Sequence, residues 1–215
     1  MTGWNPRAMY VKRTKYGGTA LNTPIHFVLF LFTGGDIIKN IFISSSSHTD
    51  IDKKYIDSVD NITKELSNNF NLNIGIYMED GMPGKIINNF LNNKRKVTVY
   101  TMELYKEDFS NFKGDYKYLD STFTRTNTIY DESNIILILP GGSGTLGELF
   151  SMLEENRTIK TDKEIIIYNI NNYYDDLIKF LVKAINNRFN DNTILNHIRV
   201  FNDEKSLLKY IERRK

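Results

Sequence analysis

One stretch of the chain constrains its fold more than any other, the segment 136–150, which reads Ile-Leu-Ile-Leu-Pro-Gly-Gly-Ser-Gly-Thr-Leu-Gly-Glu-Leu-Phe. An apolar, strand-like run ends at Pro140, a glycine-rich turn follows, and a helix-like segment then begins. Glycines let such a turn wrap closely around an anion, and the N–H groups at the start of the helix favour a phosphate there. We therefore predict a phosphate-binding strand–loop–helix unit. Its predicted phosphate contacts are Gly141, Gly142, Ser143, Gly144 and Thr145.

Glu148 lies in the first turns of that predicted helix. A carboxylate at this position is poorly placed to hold a phosphate, because like charges repel. It is well placed to act on the molecule that carries the phosphate. The pattern therefore indicates an enzyme that acts on a phosphorylated small molecule.

Strand-like and helix-like segments alternate from residue 39 onward. Predicted strands cover 41–43, 72–77, 96–100, 134–139, 164–168 and 197–201. Predicted helices cover 50–69, 84–92, 121–132, 144–158, 173–187 and 206–213, and residues 104–117 are predicted to form a loop. Central strands that are apolar on both sides are typical of a parallel sheet with helices on both faces. We therefore expect an α/β, Rossmann-like fold.

Ligands of such sheets bind at the carboxyl ends of the strands. Three glycine- or serine-rich loops follow predicted strands, and we expect them to meet at this edge. They are the serine run after the first strand, the loop that contains Gly81 and Gly84, and the glycine-rich turn at 140–145. Ser45, Ser46, Gly81 and Gly84 therefore join the predicted substrate contacts.

The first 38 residues differ in composition from the rest. They contain Trp4, the single tryptophan of the chain, and an apolar run at 26–32 that is predicted to form a strand. We expect residues 1–38 to form an N-terminal extension and residues 39–215 to form the enzyme domain.

Composition excludes several classes of function. The formal net charge is only +2 and the basic residues are dispersed, so neither a nucleic acid polymer nor a membrane is expected as a partner. The chain has no cysteine, and its three histidines show no metal-ligand spacing, so no metal or redox cofactor is expected. The apolar run at 27–32 is far shorter than the ~20 residues that cross a bilayer. Without an export signal, the cytoplasm is the expected location.

The glycine-rich turn also matches the dinucleotide pattern G-x-G-x-x-G at 142–147. That pattern requires an acidic residue at the end of the following strand, about 20 residues on. The following predicted strand ends at Tyr168 and Asn169 instead. Hydride transfer with a nicotinamide cofactor is therefore disfavoured.

A longer pattern, Pro-Gly-Gly-x-Gly-Thr-x-x-Glu at 140–148, resembles the LOG ("lonely guy") family of cytokinin-activating phosphoribohydrolases, often mislabelled lysine decarboxylases. Arg125 lies at the family's spacing from this motif, fifteen positions before Pro140. A Tyr-Tyr-Asp segment at 173–175 and a loose match of Ser44–Ser46 to a Gly-Ser-Ser loop extend the resemblance. The similarity runs from about residue 39 to the C-terminus.

The resemblance implies hydrolysis of the N-glycosidic bond of a nucleoside 5′-monophosphate to a free base and ribose 5-phosphate. It implies that Arg125 and Glu148 are catalytic and that two copies form a homodimer through helices flanking the site. Glu148 would stabilise positive charge on the ribose, bind its hydroxyls, orient water or attack C1′; the sequence leaves these roles open. The loop at 77–84 departs from the family's Tyr-Gly-Gly-Gly-x-x-Gly pattern, because only Gly81 and Gly84 remain and Glu79 and Asp80 add negative charge.

Two other functions stay open at this point. A non-catalytic nucleotide sensor would keep the fold and the phosphate loop but would need neither Arg125 nor Glu148 at this spacing. A base-exchanging deoxyribosyltransferase would use Glu148 as a nucleophile and accept a second base instead of water.

Overall fold

The protein is described by a computed structural model covering residues 38–105, 112–159, 161 and 163–214. The predicted N-terminal extension, apart from residue 38, and the predicted strand at 26–32 lie outside these ranges. The division of the chain at 38/39 therefore stays a prediction.

A seven-stranded sheet forms the centre of the described part of the chain. Its strands are β1 (Asn40–Ser44), β2 (Asn71–Ile74), β3 (Val97–Met102), β4 (Asp115–Leu119), β5 (Ile135–Ile138), β6 (Ile165–Tyr168) and β7 (Ile198–Phe201). Their order is β4-β3-β2-β1-β5-β6-β7, and every neighbouring pair is parallel. The predicted Rossmann-like α/β fold is confirmed.

Helices cover both faces of the sheet. They are α1 (Lys53–Leu66), α2 (Gly81–Asn92), α3 (Thr122–Glu132), α4 (Ser143–Ile159), α5 (Asp175–Asn186) and α6 (Glu204–Glu212). Short 3₁₀ helices occur at Ile170–Asn172 and Asn192–His197. Within the described ranges, we find no helix with the length and apolar character needed to cross a membrane.

The strand sequences explain this two-sided packing. Successive side chains of a strand point to opposite faces, so Ile41 and Ile43 of β1 join one buried cluster and Phe42 joins the other. The first cluster contains apolar residues of α1, α2 and α6, and the second contains those of α3, α4 and α5. Burial on both faces therefore accounts for the continuous apolar runs at 41–43 of β1 and 135–138 of β5.

β4 corrects the prediction that residues 104–117 form a loop. This strand pairs with β3 along its whole length, with Tyr116 opposite Val99 and Tyr118 opposite Thr101. Its sequence alternates charged and aromatic residues, and it lies at the edge of the sheet, where none of its residues is fully buried. The prediction was wrong because an edge strand lacks the continuous apolar run that marks central strands.

The strand order places a crevice between β1 and β5. The chain builds the sheet outward from β1 to β4 and then returns to add β5 on the other side of β1. The helices that follow β1 and β5, α1 and α4, therefore pack on opposite faces of the sheet. In open α/β sheets, this switch point is where ligands bind.

Helix α2 begins at Gly81, three residues before the predicted start at Gly84. Pro83 fits this first turn, because the amide it lacks would have no helical partner there. Gly81 has a φ of +67°, which favours glycine. A Cβ at Gly84 would clash with the carbonyl group of Glu79.

We expect Gly84→Ala to lower the free energy of unfolding by about 1–3 kcal/mol, because the added methyl group must displace backbone. Gly147→Ala is the matched control, since a Cβ at Gly147 meets no atom within 4 Å. In the interior of α4, that change should stabilise the fold by up to ~1 kcal/mol. Urea unfolding of both variants measures the difference; equal effects would contradict the packing role of Gly84.

Candidate active site

A cleft of about 230 Å³ opens at the carboxyl edge of the sheet, at the switch point between β1 and β5. It is walled by the ends of β1 and β2, by α3 and by the start of α4. The lining residues are Ile43, Ser44, Ser45, Ser46, Ser47, His48, Ile74, Gly75, Ile76, Arg125, Gly142, Ser143, Gly144, Thr145 and Glu148.

Two backbone hydrogen bonds hold the loops after β1 and β5 side by side. The amide of Leu139 donates to the carbonyl of Ser44 at 2.9 Å, and the amide of Ser46 donates to the carbonyl of Pro140 at 3.0 Å. The serine run and the glycine loop (residues 140–145) therefore form one continuous rim.

Two tyrosines support the glycine loop from behind. The Tyr173 hydroxyl donates to the carbonyl of Gly141 at 2.9 Å, and the buried Tyr174 hydroxyl donates to the carbonyl of Leu139 at 2.7 Å. The Tyr-Tyr-Asp segment thus contributes two hydroxyl donors, which bind carbonyl groups at the back of the loop. On the other side, α4 begins at Ser143, and the first amides of a helix have no acceptor within it.

The glycine loop leaves open space where a ligand would approach. A Cβ at Gly142 or Gly144 would meet no atom within 4 Å, and both residues line the cleft. Gly141 differs, because its Cβ would clash with the side chain of Thr145, and it lies outside the cleft lining. The protein's own packing therefore requires glycine at 141, whereas no protein atom crowds positions 142 and 144.

The structure brings Arg125 and Glu148 together in this cleft. Nη2 of Arg125 lies 2.9 Å from Oε1 of Glu148, and its Nη1 donates to the carbonyl of Gly75 at 2.9 Å. The Ser44 hydroxyl donates to Oε2 of Glu148 at 2.5 Å. Both carboxylate oxygens therefore accept hydrogen bonds, the pattern of an ionised carboxylate.

Burial dominates the electrostatics of Glu148. The side chain is only 10% exposed, and this loss of water raises the pKa of the Glu148 carboxyl above its ordinary value. The Arg125 charge and the Ser44 hydrogen bond act in the opposite direction. Nε of Arg125 is also buried and has no hydrogen-bond partner among the described residues. The pair is thus a desolvated ion pair with an unused donor.

The other predicted contacts divide into two groups. Ser45, Ser46, Ser143 and Thr145 line the cleft together with Gly142 and Gly144. Gly81 and Gly84 do not line it: a Cβ on Gly81 would approach the backbone of His48, and Gly84 packs on Glu79.

Sequence reasoning missed Ser44 and Gly75, which complete the ion pair. A Cβ at Gly75 would lie 2.9 Å from Oε1 of Glu148. The position of Gly75 directly after a buried strand was the available signal, because strand ends line the ligand edge. His48, one of the three histidines that show no metal-ligand spacing in the sequence, also lines the cleft. The described ranges hold no cluster of three or more acidic or histidine side chains arranged for a metal ion.

The model of the protein family described as "possible lysine decarboxylase" matches residues 81–211. This match covers more than half of the chain. The chain therefore belongs to this family, which is the family of the LOG proteins that its motifs resemble.

Curated plant relatives carry the corresponding names. A protein of Oryza sativa subsp. japonica, named probable cytokinin riboside 5′-monophosphate phosphoribohydrolase, is 32% identical over 76 residues, 35% of this chain and 31% of that protein. A cytokinin riboside 5′-monophosphate phosphoribohydrolase of Arabidopsis thaliana is 29% identical over 99 residues, 46% of each chain. The matches thus span less than half the length of these relatives.

Solved structures support the fold at low identity. The molybdenum cofactor binding protein of Rippkaea orientalis aligns with a TM-score of 0.61 and 13% identity, covering 83% of this chain and 98% of that one. The molybdenum cofactor carrier protein of Chlamydomonas reinhardtii aligns with a TM-score of 0.58 and 12% identity, covering 81% and 96%. These likenesses concern the architecture alone.

We expect Arg125→Met to leave the Glu148 charge buried without its partner. Breaking a fully buried pair costs roughly 3–5 kcal/mol, and the 20% exposure of the Arg125 side chain reduces the expected loss to about 2 kcal/mol at pH 7. The pKa of Glu148 then rises further, so the folded variant binds a proton that the unfolded chain releases. Its stability relative to the wild-type protein should therefore recover as the pH falls from about 7 to about 5.

Urea unfolding at both pH values measures this effect. The double variant Arg125→Met/Glu148→Gln is the control, because it carries no buried charge and should regain most of the lost stability at pH 7. A loss that is the same at both pH values and in the double variant would show that the ion pair does not govern stability here.

Proposed function

We propose that the protein is a phosphoribohydrolase that cleaves the N-glycosidic bond of a nucleoside 5′-monophosphate. Water adds its hydroxyl to C1′ of the ribose and the departing base takes the proton, which leaves ribose 5-phosphate and the free base. The observation that carries the proposal is the desolvated Arg125–Glu148 pair beside an open, glycine-lined helix start.

The glycine loop is the proposed site of the 5′-phosphate. The free amides at the start of α4 and the positive end of this helix attract an anion. The open space at Gly142 and Gly144 supports close approach of the phosphate to the backbone. Ser143 and Thr145 add hydroxyl groups at the same rim.

Glu148 is the proposed catalytic carboxylate. Breaking the bond to the base develops positive charge on the ribose, and a carboxylate stabilises that charge most strongly where water is excluded. Glu148 is buried at the base of the cleft, one helical turn from the glycine loop. A sugar attached to the bound phosphate would therefore lie beside it.

Arg125 is the proposed partner of both substrate and carboxylate. Its guanidinium holds Oε1 of Glu148 in place, which orients the carboxylate. The Arg125 side chain is 20% exposed and lines the cleft, so a ribose or phosphate oxygen could contact its guanidinium there. Such a contact would couple substrate binding to the position of the catalytic group.

The proposed substrates are nucleoside 5′-monophosphates, and cytokinin-type riboside monophosphates are the first to test because the plant relatives carry that name. The loop at 77–84, which differs from the family pattern and carries two acidic residues, does not argue against an anionic substrate. Neither Glu79 nor Asp80 is among the residues that line the cleft.

Homodimer formation through the helices beside the cleft stays a prediction. Phe123 of α3 is 71% exposed and Phe150 of α4 is 38% exposed. Apolar side chains of this size on the two helices that carry Arg125 and Glu148 are compatible with pairing there.

We expect the purified protein to release base and ribose 5-phosphate in equal amounts from one or more members of a panel of nucleoside 5′-monophosphates. Glu148→Gln should lower kcat/KM by about 10²–10³-fold, because it removes the stabilising charge from the transition state. Glu154→Gln on the same helix is the matched control. Glu154 is exposed and pairs with Arg157 at the surface, so its loss should leave kcat/KM unchanged.

Other outcomes identify the competing functions. Tight nucleotide binding without release of base would favour a sensor. Exchange of labelled free base into the nucleotide would favour the transferase. Release that persists in Glu148→Gln would contradict the proposed role of this carboxylate.

A further inference from the structure

Ser44 is a buried hydroxyl whose hydrogen bond is to the catalytic carboxylate. It is the last residue of β1 and is only 4% exposed. Its Oγ donates to Oε2 of Glu148 at 2.5 Å, across more than a hundred positions of sequence. In the resemblance to the LOG family, this position matches the glycine of the Gly-Ser-Ser loop, so the hydroxyl is a feature of this chain.

The sheet holds the backbone of Ser44 in place without any contact from its side chain. The Ser44 residue pairs with Ile138 in the β1–β5 register, and its carbonyl accepts the amide of Leu139 at 2.9 Å. The backbone therefore needs nothing from the side chain at this position. The directed bond to Glu148 is what the hydroxyl adds.

We propose that Ser44 is a positioning residue that holds Glu148 ionised and aimed at the cleft, acting opposite Arg125. The inference rests on the proposed function for its consequence in catalysis, but the effect on the carboxylate can be measured without any activity. Arg125 engages Oε1 and Ser44 engages Oε2, so the carboxylate is held from two different elements of the fold.

Few other charges bear on this carboxylate. Arg125 approaches from α3, and His48, in the loop after β1, is the other titratable group among the cleft-lining residues. The remaining walls near it are the backbone of Gly75 and the apolar side chains of Ile43 and Ile74. Removal of one donor should therefore have a visible effect, because little else compensates.

The direction of that effect follows from the bond. A serine hydroxyl donates to the ionised carboxylate, so it favours the charged form and opposes the rise that burial produces. Without it, the pKa of Glu148 should rise further, because the charged form loses a hydrogen-bond donor. The acidic limb of kcat/KM should move to higher pH by the same amount, because the active form loses its charge earlier as the pH falls.

The test compares Ser44→Ala with Ser44→Thr, which keeps the hydroxyl, and with Ser58→Ala as control. Ser58 lies on α1, bonds the carbonyl of Lys54 and does not line the cleft. The Glu148 signal is followed by carbon-13 NMR of protein labelled at glutamate carboxyls, and Glu148→Gln assigns it by its disappearance. His48→Gln shows which part of any pH profile belongs to the histidine.

We expect a higher pKa of Glu148 in Ser44→Ala, with about a tenfold lower kcat/KM near the acidic limb, and wild-type behaviour in Ser58→Ala and Ser44→Thr. An unchanged Glu148 pKa in a folded Ser44→Ala protein would overturn the proposal. If Ser44→Thr does not fold, the Ser44→Ala titration still decides. A shifted pKa in a protein that releases no base would refute the proposed function and leave the positioning role standing.

Discussion

A carboxylate deprived of water must be matched by positive charge and hydrogen-bond donors, and Glu148 is the point where this requirement shapes the molecule. Its two oxygens are taken by Arg125 from α3 and Ser44 from β1. Gly75 at the end of β2 leaves room for the pair and accepts a further donor from Arg125. Four elements that are distant in sequence therefore converge on one charge, and the cleft exists where they meet.

The fold supplies this convergence through its strand order. Because β1 and β5 are neighbours, the serine run and the glycine loop lie side by side at one edge. The helices that follow these loops pack on opposite faces, which leaves a crevice at this edge. The tyrosines at 173 and 174 bind carbonyls behind the glycine loop. The start of α4 is thereby presented to the cleft, with Glu148 about one helical turn away.

Much of this arrangement could be predicted from sequence because its signals are local. The apolar run before Pro140, the glycine loop and the spacing of Arg125 lie in short segments, and they correctly indicated a parallel sheet with both residues at one cleft. Contacts across the fold carry no such signal. The Ser44–Glu148 bond and the space at Gly75 depend on which strands become neighbours, and β4 was missed because an edge strand tolerates polar residues.

The most direct test of the central claim is a crystal structure of the Glu148→Gln variant with adenosine 5′-monophosphate. We expect the phosphate to lie against the amides at the start of α4, with C1′ of the ribose facing residue 148 and an oxygen of the nucleotide bound to the guanidinium of Arg125. A nucleotide bound elsewhere, or bound with its ribose turned away from residue 148, would contradict the assignment of this cleft as the active site.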